Sequence, residues 1–276
     1  MSHQTGSFTG SGDLELFYQR WRAGGQAQAT LVIVHGFGEH SGRYEYLVER
    51  LLSESCCIYA FDLRGHGHSP GPRGHVRSWA QFREDLRRFL RMVEAMEAPA
   101  PLYLMGHSLG GLIVLECALR GLLGLRGIIA SGPALGRPPV PAWLLMAAGV
   151  ISRIWPGLSF QVPLDPSKLS RDPEVVKGYK EDPLVHSRAS ARLGAEMQAA
   201  RNWTMAHARE FPFPLLLLQG GADRLAPPEA SRTFYGRILL RDKELRVYRN
   251  GYHELHNDIH KEQVLEDLWA WIQKRL

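Results

Sequence analysis

The pentapeptide Gly106-His107-Ser108-Leu109-Gly110 stands between the apolar run Leu102-Tyr103-Leu104-Met105 and an apolar-rich stretch from Leu112 to Leu119. A short apolar run followed at once by a helical pattern requires a sharp strand-to-helix turn, and the turn falls on the serine. The serine backbone is strained there, and side chains two positions to either side would collide with the turn, which accounts for glycine at 106 and 110. Ser108 is thereby presented as an exposed nucleophile. The bare pattern can arise by chance in a chain with 28 glycines; the flanking strand and helix give it meaning.

The same rhythm runs along the chain. Leu14 to Trp21 alternates in part and predicts an edge strand, while Thr30 to His35 predicts a buried strand running into His35-Gly36-Phe37-Gly38. Helices are predicted over Tyr44 to Leu52, Trp79 to Met96 and Gln263 to Lys274, and strands over Ile58 to Asp62, Leu125 to Ala130, Pro214 to Gln219 and Leu245 to Tyr248. Strands alternating with helices imply parallel β-α-β units. The rhythm is lost once: Pro133, Pro138, Pro139 and Pro141 mark the exit, and Pro212 and Pro214 the return. Residues 134–210 therefore read as an insertion over the strand ends, where ligands bind in open α/β sheets, leaving 1–133 and 211–276 as the core. Inside the insertion, Ala142 to Trp155 has only Ser152 and Arg153 as polar side chains. It is either a helix buried between insertion and core, or an exposed apolar lid that guides an acyl chain or rests on a lipid interface.

Composition narrows the class. With 45% hydrophobic and 22% charged residues, the 276-residue chain is that of an ordinary globular enzyme. No apolar run approaches the roughly 18 residues of a membrane span. Met1 to Gly12 has neither a basic start nor an apolar core, so the expectation is a cytoplasmic protein with a frayed beginning. Cys56, Cys57 and Cys117 suit neither a disulfide framework nor a zinc site and read as reduced, buried hydrophobes. The net charge of +5 invites a nucleic-acid reading. However, Arg83, Arg87 and Arg91 recur at helical spacing opposite Phe82, Leu86, Phe89, Leu90 and Val93, as on the solvated face of an amphipathic helix, and no nucleic-acid motif accompanies them.

A serine hydroxyl is a weak nucleophile, so it needs a base and a group to orient that base. Behind this kind of turn the chain order is serine, acid, histidine. His253 lies in the short loop after the last strand and is the base, whereas His256 and His260 fall where a helix begins. Asp165, Asp172 and Asp182 all lie in the insertion, each before a proline; only Asp223 ends a core strand, and it is the acid. Backbone N–H groups of Leu109 and Phe37 are the expected oxyanion donors. Two decoys are set aside. His253-Glu254-Leu255-His256 lacks the four-residue histidine spacing of a zinc-protease helix, since position 257 is asparagine. Arg64-Gly65-His66-Gly67-His68-Ser69 lacks a P-loop lysine and any cysteine partner, and reads as a tight surface turn. No metal and no cofactor is expected.

Together with the elbow, the segments His35-Gly36-Phe37-Gly38-Glu39-His40-Ser41-Gly42-Arg43-Tyr44, Asp62-Leu63-Arg64-Gly65-His66-Gly67-His68-Ser69 and Tyr252-His253-Glu254-Leu255-His256 resemble the monoacylglycerol lipases and lysophospholipase-like members of the α/β-hydrolases. The likeness runs from about Leu14 to the C-terminus and includes Leu169-Ser170-Arg171-Asp172 and Tyr179-Lys180-Glu181-Asp182-Pro183-Leu184. It implies an α/β-hydrolase fold: a mostly parallel central sheet flanked by helices, with a helical cap inserted after the sixth strand. It also implies an acylglycerol or other lipid ester as substrate and a cap over an apolar acyl tunnel with a narrow polar exit for glycerol; transient contact of the cap with a lipid interface is the expectation if the apolar stretch is the exposed lid. Position by position, Glu39, Arg43, Tyr179 and His256 correspond to residues that line or support the polar end. Phe37 departs from the small residue of the mammalian enzymes. A lysophospholipase or a broad carboxylesterase would use the same triad, and a catalytically silent hydrolase-fold protein holding a lipid is the reading from another class.

Overall fold

The computed structural model of the chain describes residues 2–136 and 149–276. In chain order they form β1 (Ser2–Thr9), β2 (Glu15–Arg22), β3 (Ala29–Val34), α1 (Glu45–Leu52), β4 (Cys56–Phe61), α2 (Trp79–Glu97), β5 (Leu102–His107), α3 (Leu109–Leu119) and β6 (Leu125–Ser131). There follow β7 (Ser159–Gln161), α4 (Pro173–Glu181), β8 (Arg188–Ser190), α5 (Ala191–Ala206), β9 (Leu215–Gly220), α6 (Pro228–Arg237), β10 (Lys243–Tyr248) and α7 (Lys261–Gln273). Eight strands make one sheet in the order β1-β2-β4-β3-β5-β6-β9-β10. The pairs β1–β2 and β2–β4 are antiparallel and the other five pairs are parallel, as the β-α alternation predicts. This is the α/β-hydrolase fold.

The sheet is covered on both faces, which is why its central strands read as unbroken apolar runs. β3, β4, β5 and β9 are buried along their whole length. Successive side chains go to opposite faces. Leu31, Ile33, Ile58, Leu216 and Leu218 meet Leu47 and Leu51 of α1 and Leu265 and Trp271 of α7. Val32, Val34, Phe61, Leu215 and Leu217 meet Phe82 and Phe89 of α2, Leu112 and Leu115 of α3, and Phe234 of α6. All three cysteines are buried and free, and burial pushes the Cys57 thiol up to about 11 and that of Cys56 to about 12.

Four expectations need correction. The N-terminus is not frayed: β1 pairs along its length with β2, from Ser2 opposite Arg22 to Thr9 opposite Glu15. Its side chains are polar, so periodicity missed it, yet the ladder, the Ser7 and Thr9 hydroxyls on Glu15, His3 stacked on Trp21 and the buried Phe8 hold it. β2 is consequently not an edge strand. The turn at 64–69 is not on the surface either. Asp62 is fully buried and accepts N–H groups from Ser41 (2.7 Å) and His68 (2.8 Å), and Arg64 donates twice, at 2.6 Å, to buried Asp85 of α2. Charged residues hid a turn that is buried because its charges are paired. The arginine stripe is only partly solvated: Arg83 pairs with Glu116 at 2.7 Å and Arg87 donates to the Arg120 carbonyl, so two of its members stitch α2 to α3.

The segment between β6 and β9 carries the small antiparallel pair β7–β8 and the helices α4 and α5. Leu193 and Ala200 of α5 belong to the core beneath α2 and α3. Pro138, Pro139, Pro141 and the first half of the apolar stretch, 142–148, lie outside the described residues. Residues 149–154 are helical; Val150 is 54% exposed, Ile154 64% and Trp155, just beyond, 68%, while Ile151 is half-buried. Leu158, Phe160 and Val162 extend this exposed apolar surface onto β7. Among the described residues no helix is long and apolar enough to cross a membrane.

Candidate active site

The junction of β5 and α3 turns on Ser108, whose φ of 52° and ψ of −112° lie in a region non-glycine residues rarely occupy. Its neighbours over-determine it: the Ser108 N–H donates to the Ser131 carbonyl (3.0 Å), and the Ser108 carbonyl accepts from Leu112 (3.1 Å) and Ala134 (3.0 Å). A Cβ at Gly106 would stand 2.3 Å from the Gly110 carbonyl oxygen, and one at Gly110 would stand 2.1 Å from that of Val34. The glycine spacing is therefore a packing requirement of the turn. Within this buried surround Ser108 itself is only half-buried.

Asp223 follows the end of β9. Its Oδ1 accepts N–H groups from Leu225 and Ala226, both at 2.8 Å, while Oδ2 accepts from Nδ1 of His253 at 2.7 Å and from the Gln219 side chain at 3.3 Å. Gln219 is itself held by Ser231. His253 follows β10 and is buried, with its ring 4.7 Å from that of His107, the residue before Ser108. Burial alone would lower its pKa. The Asp223 carboxylate and its hydrogen bond, helped by Glu254 and Glu39, outweigh burial and raise it above the ordinary imidazole value.

Gly36 faces the serine from the loop after β3: a Cβ there would lie 3.2 Å from the Ser108 Cβ. His35 fixes that loop, with Nδ1 on the Gly36 carbonyl (2.7 Å) and Nε2 accepting from the Leu63 N–H (2.9 Å). The N–H groups of Phe37 and Leu109 donate to no acceptor among the described residues. Both belong to segments that border Ser108, and such free amides are what a developing oxyanion needs.

The four residues predicted at the polar end fall into one neighbourhood, though not in one role. Arg43 donates to Glu39 (3.2 Å) and lies 4.5 Å from the centre of the Tyr179 ring. Glu39 is fully engaged, with Oε1 accepting from the Gly36 N–H (2.5 Å) and the Tyr44 hydroxyl (2.9 Å). His256 is buried, stacked on Tyr44 at 4.7 Å, and neither of its ring nitrogens has a hydrogen-bond partner among the described residues. Burial, with Arg43 and His253 nearby, lowers its pKa to about 4 against the pull of Glu254.

Glu254, which the sequence offers only within the set-aside zinc motif and the resembling segment Tyr252 to His256, is a residue that sequence reading does not single out. Its buried carboxylate accepts twice from Arg43, at 2.9 and 2.7 Å, and once from the Asn257 side chain at 3.0 Å. The partner is 211 residues away, so no local pattern could mark it. Among the described residues no group of three or more histidine, cysteine, aspartate or glutamate side chains could hold a metal ion.

A family model described as serine aminopeptidase, S33, matches residues 25–260. The chain belongs to this family of serine hydrolases. Within it, the chain is 35% identical to the monoacylglycerol lipase of Mycolicibacterium smegmatis across 98% of this chain and 97% of that protein. The crystal structure of Paleococcus ferrophilus monoacylglycerol lipase superposes with a TM-score of 0.86 at 37% identity, covering 95% of this chain and 100% of that one. A soluble variant of monoglyceride lipase from Saccharomyces cerevisiae, in complex with a substrate analog, shares the fold with a TM-score of 0.88 at 24% identity, over 99% of this chain and 94% of that one. The resemblance read from the motifs is thus a family relationship spanning nearly the whole chain.

Proposed function

We propose that the chain hydrolyses monoacylglycerols to a fatty acid and glycerol, with Ser108 as nucleophile, His253 as base and Asp223 as the orienting acid. The observation that carries this is the buried 2.7 Å pair of His253 and Asp223 beside the strained turn at Ser108. Nδ1–H of His253 is committed to Asp223, which leaves Nε2 as the basic nitrogen. It takes the Ser108 proton as Oγ bonds to the acyl carbon, and the oxyanion draws on the Phe37 and Leu109 N–H groups. Collapse breaks the ester C–O bond, His253 returns the proton to the departing glycerol oxygen, and water repeats the sequence to release the fatty acid.

Residues 134–210 serve in this reading as the cap, with α5 as its root on the core, and Glu39, Arg43, Tyr179 and His256 stand at the polar end. Val150, Ile154, Trp155 and Phe160 would rest on the lipid surface where a cytoplasmic enzyme meets its substrate. An ester fits better than a peptide N-terminus. An ammonium group would need an accessible carboxylate, whereas the side chains of Glu39 and Glu254 are 3% and 2% exposed and already accept hydrogen bonds from Arg43.

The test is turnover on 1-monoacylglycerol, lysophosphatidylcholine, triacylglycerol and p-nitrophenyl esters of rising chain length, with wild type and Ser108→Ala. Monoacylglycerol should be preferred, and Ser108→Ala should lower turnover by at least about 10⁴-fold with the fold intact. A short-ester or lysophospholipid optimum would replace the substrate, and activity retained by the alanine variant would remove the nucleophile.

A further inference from the structure

The oxyanion loop and the catalytic-histidine loop approach from opposite ends of the chain, and no ladder hydrogen bond joins them. One buried guanidinium does. From the oxyanion side, the Gly36 N–H, one residue before Phe37, donates to Glu39, and Glu39 accepts from Arg43. From the histidine side, Glu254, one residue after His253, accepts both hydrogen bonds from Arg43 Nη2. The side chains of Arg43, Glu39 and Glu254 are 9%, 3% and 2% exposed, so water screens none of these links. Asn257 doubles the span by donating to Glu254 (3.0 Å) and to the Arg43 carbonyl (3.4 Å). The Glu254 N–H donates to the Leu169 carbonyl (2.8 Å), which ties the same loop to the segment that leads into α4.

We propose that Glu254 is a positioning residue for catalysis: through Arg43 and Glu39 it fixes the spacing between the oxyanion donors and the His253 imidazole. This rests on the triad reading above. Two carboxylates on one guanidinium also leave a net negative charge beside His253, which faces Asp223 from the loop after β9, Glu39 from the oxyanion loop, His107 from β5, and Glu254 and His256 from its own loop. The stoichiometry makes a clean test possible. Removing either carboxylate leaves Arg43 balanced one to one, whereas removing Arg43 would strand two buried charges and threaten the fold itself.

Glu254→Gln and, as a second arm, Glu39→Gln should therefore fold. With a soluble p-nitrophenyl ester each should lower kcat by about 10- to 100-fold while KM changes by less than about 2-fold, the pattern of displaced groups rather than lost binding. Labelling of Ser108 by a fluorophosphonate, which needs the same donors and base, should slow in parallel, and the acid limb of the pH–rate profile should move to lower pH. Both variants labelling and turning over within about 2-fold of wild type, or losing activity only in proportion to the fraction unfolded, would overturn the proposal. Wild-type enzyme that does not label at Ser108 would overturn the triad reading and the positioning role with it.

Discussion

Asp223 sets what His253 can do. Its Oδ1 is occupied by two backbone N–H groups, so the carboxylate cannot swing away, and Oδ2 stays on the imidazole. Because the pKa of His253 is raised, kcat/KM should climb as pH passes through a midpoint above the free value of about 6.5, where the imidazole loses its proton and can act as base. Asp223→Asn removes the charge that raises it. The midpoint should fall, and turnover should drop by about 10⁴-fold because the amide favours the wrong tautomer; an unmoved midpoint in a pH–rate series would contradict this. Ser108 and Asp223 were legible in the sequence because each follows a strand marked by its apolar run, whereas β10 ahead of His253 alternates charged and apolar residues and is only half-buried, so the order serine, acid, histidine singled out His253 more than its strand did. The place of Glu254 was not legible, since its partner Arg43 lies 211 residues away, whereas Glu39 is held by its near neighbours Gly36, Arg43 and Tyr44. Glu39, expected to line or support the polar end, accepts the N–H of Gly36.

Among the elements, those whose signal is burial were read well and those whose signal is pairing were not. β3, β4, β5 and β9 announce themselves because both faces are covered. β1 contributes only Phe8 to the core and is held by a ladder whose partner lies beyond the next turn. The apolar stretch ending at Trp155 left two readings open, buried or exposed, because a helix apolar on every side looks alike in both settings. In its described part Val150, Ile154 and Trp155 are exposed while Ile151 is half-buried and Ser152 buried, and exposed Leu158, Phe160 and Val162 follow. Burying one such side chain in a lipid surface contributes about 1.5–3 kcal/mol, or roughly 10- to 150-fold in partitioning. Ile154→Ser and Trp155→Ser should therefore each raise KM for vesicle-borne monoacylglycerol by at least about tenfold and leave a soluble short-chain ester untouched. Equal effects on both substrates would assign the surface to folding instead.

At the scale of the whole molecule, burial of neutral imidazoles makes the fold sensitive to acid. His35 and His256 are lowered to about 4, and His66 and His107 also lie well below the ordinary value, burial being the first cause for all four. Below about pH 6.5 the unfolded chain takes up protons at these positions and the folded chain does not. Their contribution is thus complete above pH 6.5 and is lost as pH falls toward the folded values, at about 1.4 kcal/mol per group per pH unit. His253 has the opposite sign: its pairing stabilises fully below pH 6.5 and is lost as pH rises through its raised value, whereas partly buried His75 and His186 are lowered like the other four. Thermal melts taken at intervals from pH 7.5 to 4.5 should show Tm falling steeply below 6.5. His256→Phe isolates one of the four contributions. Phenylalanine keeps the stack on Tyr44 and gives up no hydrogen bond among the described residues, so the variant should shallow the slope by about one proton, and a slope equal to wild type would show that His256 protonates freely in the folded state.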